Sequence, residues 1–203
     1  MTTATDIPVS TPTDAHRLGI KLFVENSSAI EKITDFTPVF HSWIQTKALD
    51  DLLVDVADYS HVPEGPGILL VAHEANYAMD AGGNRLGLYY ARKRPLEGSF
   101  EQRLRAALRA TLVAAEKLEQ EPSLAGRLRF RTDELLFRIN DRLLAPNATA
   151  TFAAVRPRLE SVLTDVFGAK PAGIEHNADA EVCFEVRVTL PKSEPIGQLL
   201  ARL

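Results

Sequence analysis

The sequence predicts an α+β protein with two layers: a mostly antiparallel sheet of about six to eight strands, with three main helices packed on it. Three observations predict this. Strand-type and helix-type segments follow one another in an irregular order, without the strict β-α alternation of a doubly wound fold. There is far too much helical periodicity for a sandwich. The stretch Glu181–Leu190 alternates without a fault, with Val182, Phe184, Val186, Val188 and Leu190 on one side and Glu181, Cys183, Glu185, Arg187 and Thr189 on the other. Such a ribbon has one dry flank for helices to cover and one wet flank.

The elements follow in order. Leu18, Ile20, Leu22 and Val24 alternate with Gly19, Lys21 and Phe23, a half-buried strand with a mixed outer face. Asn26 to Thr34 reads as loop. Thr37-Pro38 is an N-cap followed by proline at the first helical position, and Phe40, Trp43, Ile44 and Lys47 continue at helical spacing. Leu52 to Asp58 returns to strand. After the break at Pro63–Gly67, one central strand runs from Ile68 through His73 and Glu74 to Met79, and Asp80–Asn84 turns it into a return strand through Tyr90. Ser99 and Gln102 form a capping box ahead of a helix of about twenty residues, which Pro122 stops. Arg127 to Asn140 is strand, with Thr132-Asp133-Glu134 either a turn or a bulge. A further helix from Pro146 ends at Gly168, with a kink or restart expected at Pro157. A hairpin around Ala178-Asp179 and a short amphipathic tail, Pro195–Leu203, complete the chain.

Strand, helix and hairpin elements recur on both sides of the long helix, a faint internal duplication. Residues 1–15, rich in Thr, Ser and Pro, are expected as a disordered N-terminal tail. Residues 16–203 then form a single domain, any division into two sub-halves falling near 122–126.

Composition narrows the function classes. With 45% apolar and 25% charged residues, the chain is that of a soluble globular protein. No run approaches the roughly eighteen apolar residues of a membrane span, and Met1–Ala15 lacks the pattern of a signal peptide. The single cysteine, Cys183, excludes an internal disulfide and suits a reducing, cytoplasmic setting. The net charge of −4 argues against a nucleic-acid partner. Charge is uneven, however: residues 85–142 carry 13 basic and 8 acidic side chains, so a basic middle lies between acidic flanks. Such a middle can receive an anion, pair with its own flanks, or join a subunit interface.

No motif names a chemistry. The glycines at 65–67 and 82–83 precede no helix that could cradle phosphate, and no cofactor or metal-ligand spacing is present. The densest set of functional side chains runs from Asp55 to Asp80. From it, His61, His73, Glu74 and Asp80 are the catalytic candidates, imidazole and carboxylate being suited to acid-base work near neutral pH. A histidine on an apolar strand face is more commonly a packed, hydrogen-bonded one. The arginines are the ligand-binding candidates: Arg127, Arg129 and Arg131 share one face of a strand, and Arg92 ends another. The leading expectation is a binding or assembly protein without catalytic activity, self-associating through an arginine-lined sheet face and the tail Ile196–Leu203. The rival is a small hydrolase or isomerase acting on an anionic metabolite.

Overall fold

In a computed structural model of the chain, the described residues are 11–124 and 126–203. The elements are β1 (Leu18–Val24), α1 (Phe36–Thr46), β2 (Leu53–Tyr59), β3 (Gly67–Ala72), β4 (Ala75–Asp80), β5 (Gly87–Arg92), α2 (Phe100–Glu119), β6 (Phe130–Ile139), α3 (Thr149–Phe167), β7 (Gly173–His176), β8 (Phe184–Thr189) and α4 (Ile196–Leu200). The strands form one eight-stranded sheet in the order β2-β3-β4-β5-β1-β6-β8-β7, antiparallel throughout. The α+β layering expected from the sequence is present. β1 sits between β5 and β6, so strands that precede residues 122–126 and strands that follow them share one sheet.

The even-numbered residues of β1 set the dry face. Ile20 pairs across the ladder with Tyr90 and Phe137, and Leu22 with Leu88 and Leu135. All six side chains are buried. α2 lies on β1 and β5, α1 on β2 and β3, and α3 and α4 pack against α2. Helix α2 begins where the capping box puts it: the Ser99 hydroxyl accepts from the Gln102 amide (3.3 Å), and Gln102 Oε1 accepts from the Ser99 amide (2.7 Å). Its buried stripe includes Leu104, Leu108, Leu112 and Leu118, each worth roughly 1.5–3 kcal/mol on transfer from water. α3 runs through Pro157 as a single helix and stops at Gly168, whose φ of +67° a side chain would strain.

Three local readings need correction, and one alternative left open by the sequence is decided. The segment from Ile68 to Met79 is a hairpin, β3 to β4, rather than one strand, with His73-Glu74 as its two-residue turn. The turn is held from outside: the Asp51 carboxylate accepts from the amides of Glu74 (3.1 Å) and Ala75 (3.0 Å), and the Glu74 carbonyl accepts from the Lys93 amide (2.9 Å). α1 starts at Phe36, continuing a 3₁₀ turn at Ile33–Asp35, so Thr37 lies inside it and its hydroxyl is buried without a partner. Of the two readings open for Thr132-Asp133-Glu134, the structure has the bulge, within one ten-residue strand. Leu22 pairs with Leu135 while Val24 pairs with Phe130, so β6 takes five steps against two of β1. Finally, Thr11–Ala15, expected in the disordered tail, is ordered: Pro12–Asp14 is a 3₁₀ turn, and Ala15 is buried. Residues 1–10 of that tail lie outside the described residues.

The C-terminal segment closes against the rest. Ile196 and Leu199 are buried, and Glu194 binds Lys192 and Arg202 at 2.7 Å each. The apolar side chains of the tail are thus engaged within the chain. Among the described residues no helix is long and apolar enough to cross a membrane.

Candidate functional site

The odd-numbered residues of β1 point away from the helices. Lys21 and Phe23 are nonetheless only 5% and 4% exposed. Neighbouring strands explain this. Lys21 stands beside Tyr89 of β5 and Leu136 of β6, and Gly19 beside Ala91 and Arg138. Across the next ladder, Leu136 meets Arg187 and Arg138 meets Glu185 of β8. Two glycines make the floor. A methyl at Gly19 would lie 2.4 Å from the Tyr89 hydroxyl oxygen, and one at Gly87 would lie 2.9 Å from Lys21 Cε. Because these positions are bare, the Tyr89 ring and the Lys21 stem lie flat on the sheet.

Charged groups complete the cover in alternating sign. Lys21 Nζ is paired with Asp80, which also accepts from the Gly82 amide (3.0 Å). Arg85 forks onto Glu134 at 2.5 and 2.8 Å, with its guanidinium 3.7 Å above the Phe23 ring. Arg131 and Arg187 approach the same Glu134 at 3.3 and 3.6 Å. Arg138 Nε donates to Glu185 (2.9 Å), and Asn140 Nδ2 donates to the Tyr89 hydroxyl (2.9 Å).

Among them lies a cavity of about 310 Å³ lined by Lys21, Phe23, Asp80, Arg85, Tyr89, Arg138, Glu185 and Arg187, and also by Glu64. Burial pushes the Lys21 ammonium below the usual lysine range; Arg138 and Arg85 push the same way, while Asp80 opposes. The Arg85 hydrogen bonds hold the Glu134 carboxyl below its ordinary value. Burial raises the Tyr89 phenol. Three arginines share Glu134, and Arg187, half exposed, approaches it only at 3.6 Å, so Arg187 is the most loosely held of the three. A larger groove of about 560 Å³ shares Glu64 with the cavity, but its lining mixes apolar Ile33, Val62 and Leu86 with Ser27, Ser60 and Asn84 and includes no cationic side chain.

Of the candidates read from the sequence, only Asp80 lines this cavity. His61 is exposed on the β2–β3 loop, whereas His73 occupies the turn at the other end of β3, about 20 Å away at the rise of a six-residue strand. His73 Nδ1 lies 3.0 Å from Glu74, whose other oxygen accepts from Arg92 at 2.6 Å. His73, Glu74 and Arg92 therefore meet as a surface chain of side chains, away from Asp80. The three-arginine face does not form, because β6 begins only at Phe130. Arg127 donates to the Ser123 carbonyl (2.7 Å), Arg129 faces Glu119 (3.6 Å), and Arg131 binds Asp133 (2.9 Å). The residues missed were Lys21, Arg85, Tyr89, Arg138 and Arg187. One signal was available: a lysine at the centre of an apolar strand, two positions after a glycine.

No protein-family model, curated protein or solved structure matches the chain.

Proposed function

We propose that the chain is a binding protein rather than an enzyme, and that its helix-free sheet face receives a small anion carrying carboxylate or phosphate groups. The observation that carries this reading is Lys21, a buried ammonium flanked by Arg85 and Arg138 in a cavity whose far wall has the loosely held Arg187. A guanidinium, planar and weakly hydrated, binds such anions through two parallel N–H donors, and an ammonium out of water adds a point charge. The enzymatic alternative has less support, since His61, His73 and Asp80 do not face one another. Calorimetric titration with succinate, citrate and inorganic phosphate at low salt tests the proposal. Binding heat is expected for at least one of them, weakened in Arg187→Ala. No heat with any of the three would end it.

A separate observation favours self-association. Edge strand β2 and its approach expose Leu52 (68%) and Val54 (58%), apolar side chains beside unpaired edge backbone. Light scattering on the wild type is expected to show an oligomer that Val54→Lys shifts toward monomer. A wild-type monomer at all concentrations would refute it.

A further inference from the structure

We infer that Lys21 is a carbonyl-capturing amine, forming an imine with an anionic aldehyde or keto acid held in the open-face cavity. The inference rests on the anion-binding reading and adds the reactive half of the ligand.

Position comes first. Lys21 lies mid-strand in a central strand with its side chain 6% exposed, yet it lines a cavity of about 310 Å³. A lysine that merely neutralised Asp80 needs neither the cavity nor the cations around it. Two hydrogen-bond contacts are made by Nζ among the described residues, to Asp80 and to the Gly82 carbonyl at 3.4 Å. An ammonium has three protons to place, so its solvation is thin. Burial is the main influence against the charged ammonium; Asp80 opposes burial more strongly than Arg138 and Arg85, which add like charge, support it. Desolvation and neighbouring cations are the two means by which a lysine amine becomes a nucleophile at neutral pH.

The remaining parts are also in place. Asp80, in contact with Nζ, accepts one ammonium proton. The freed amine adds to the carbonyl carbon, giving a carbinolamine. That hydroxyl leaves as water, taking the proton back from Asp80, and the nitrogen lone pair closes the C=N bond. One carbonyl and one ammonium thus become one protonated imine and one water. Arg187 lies two strands from Lys21, about 10 Å at the spacing of a sheet. A ligand with its anionic group several bonds from its carbonyl spans that gap.

Pyridoxal 5′-phosphate is a suitable probe, followed by borohydride reduction and peptide mass mapping. Its alcohol counterpart, pyridoxine 5′-phosphate, serves as the probe that cannot form an imine and is followed by calorimetry. At substoichiometric aldehyde, the reduced adduct is expected on Lys21 several-fold above any of the other six lysines. Excess pyridoxine 5′-phosphate is expected to protect it. Adducts spread over surface lysines with Lys21 unmodified, while the alcohol still binds, would overturn the imine and leave the anion reading standing. Neither adduct at Lys21 nor heat from the alcohol would overturn both. The mapping is done on the wild type, so it does not depend on a variant folding.

Discussion

β1 is buried equally on its two faces, but by different means. On one side Ile20 and Leu22 lie under α2 among Leu88, Phe137 and Leu135; on the other Lys21 and Phe23 lie under charged side chains reaching across from β4, β6 and β8 and from the β4–β5 turn. The first face is sealed by close packing, which is indifferent to pH and salt. The second is sealed by a lattice of ion pairs over two glycines, and it keeps a cavity. Low exposure therefore does not identify a hydrophobic core. What distinguishes the faces is how each responds when a partner is removed.

The largest difference is expected on the helix side. Phe137, fully buried and edge-on to Phe100 of α2 with ring centroids 6.2 Å apart, joins sheet to helix. Phe137→Ala is expected to cost about 3–5 kcal/mol, read from the denaturant midpoint at unchanged slope. A cost as small as that of the open-face changes would erase the contrast.

On the open face, Glu134→Gln leaves Arg85, Arg131 and Arg187 without their shared carboxylate, at an expected cost of about 1–3 kcal/mol. It also changes the response to acid. The folded-state carboxyl titrates below its ordinary value of 4.5, so its stabilisation is present above that value and lost as pH falls through the folded one. Urea midpoints measured down through this range are expected to fall less steeply in the variant. Asp133, depressed by Arg131, titrates in the same direction and keeps some slope. Equal slopes would show that the arginines do not favour the ionised Glu134 carboxylate in the folded chain.

Gly19→Ala probes the floor. The new methyl displaces the Tyr89 ring, for about 1–3 kcal/mol, and a Tyr89→Ala background is expected to recover part of that loss. Strict additivity would mean the ring moves freely.

The smallest effect belongs to Lys21→Met, about 1 kcal/mol or less in either direction. A thioether of similar length keeps the burial, and the partner Asp80, 20% exposed, retains the Gly82 amide and some water. A loss as large as that of Phe137→Ala would make Lys21 a structural residue and remove the reason to assign it a ligand.

Local rules were legible where they act within a few residues. The Ser99–Gln102 box, the stop at Gly168 and the Gly82-Gly83-Asn84 turn stand where side-chain chemistry placed them. The alternation read over Glu181–Leu190 holds only from Phe184: residues 181–183 precede β8, Val182 lines the open-face cavity, and Glu185 is buried. The β3–β4 turn was not legible, since His73-Glu74 contains no turn-forming residue and is held by Asp51, 23 positions earlier. The arginine triplet failed for a related reason: the alternation at 127, 129 and 131 precedes the strand, and each side chain is claimed by a carboxylate from another segment or from the bulge.

By itself, the sequence determined the two layers, the long capped helix and the dry flank of each main strand, because side-chain period and capping act between near neighbours. Only the tertiary structure decided the site. Lys21, Arg85, Asp80, Arg138 and Arg187 come from segments scattered between β1 and β8, and they meet because β1 inserts between β5 and β6. Strand order depends on which ladders bury the most surface together, a property of the whole chain that no local pattern encodes.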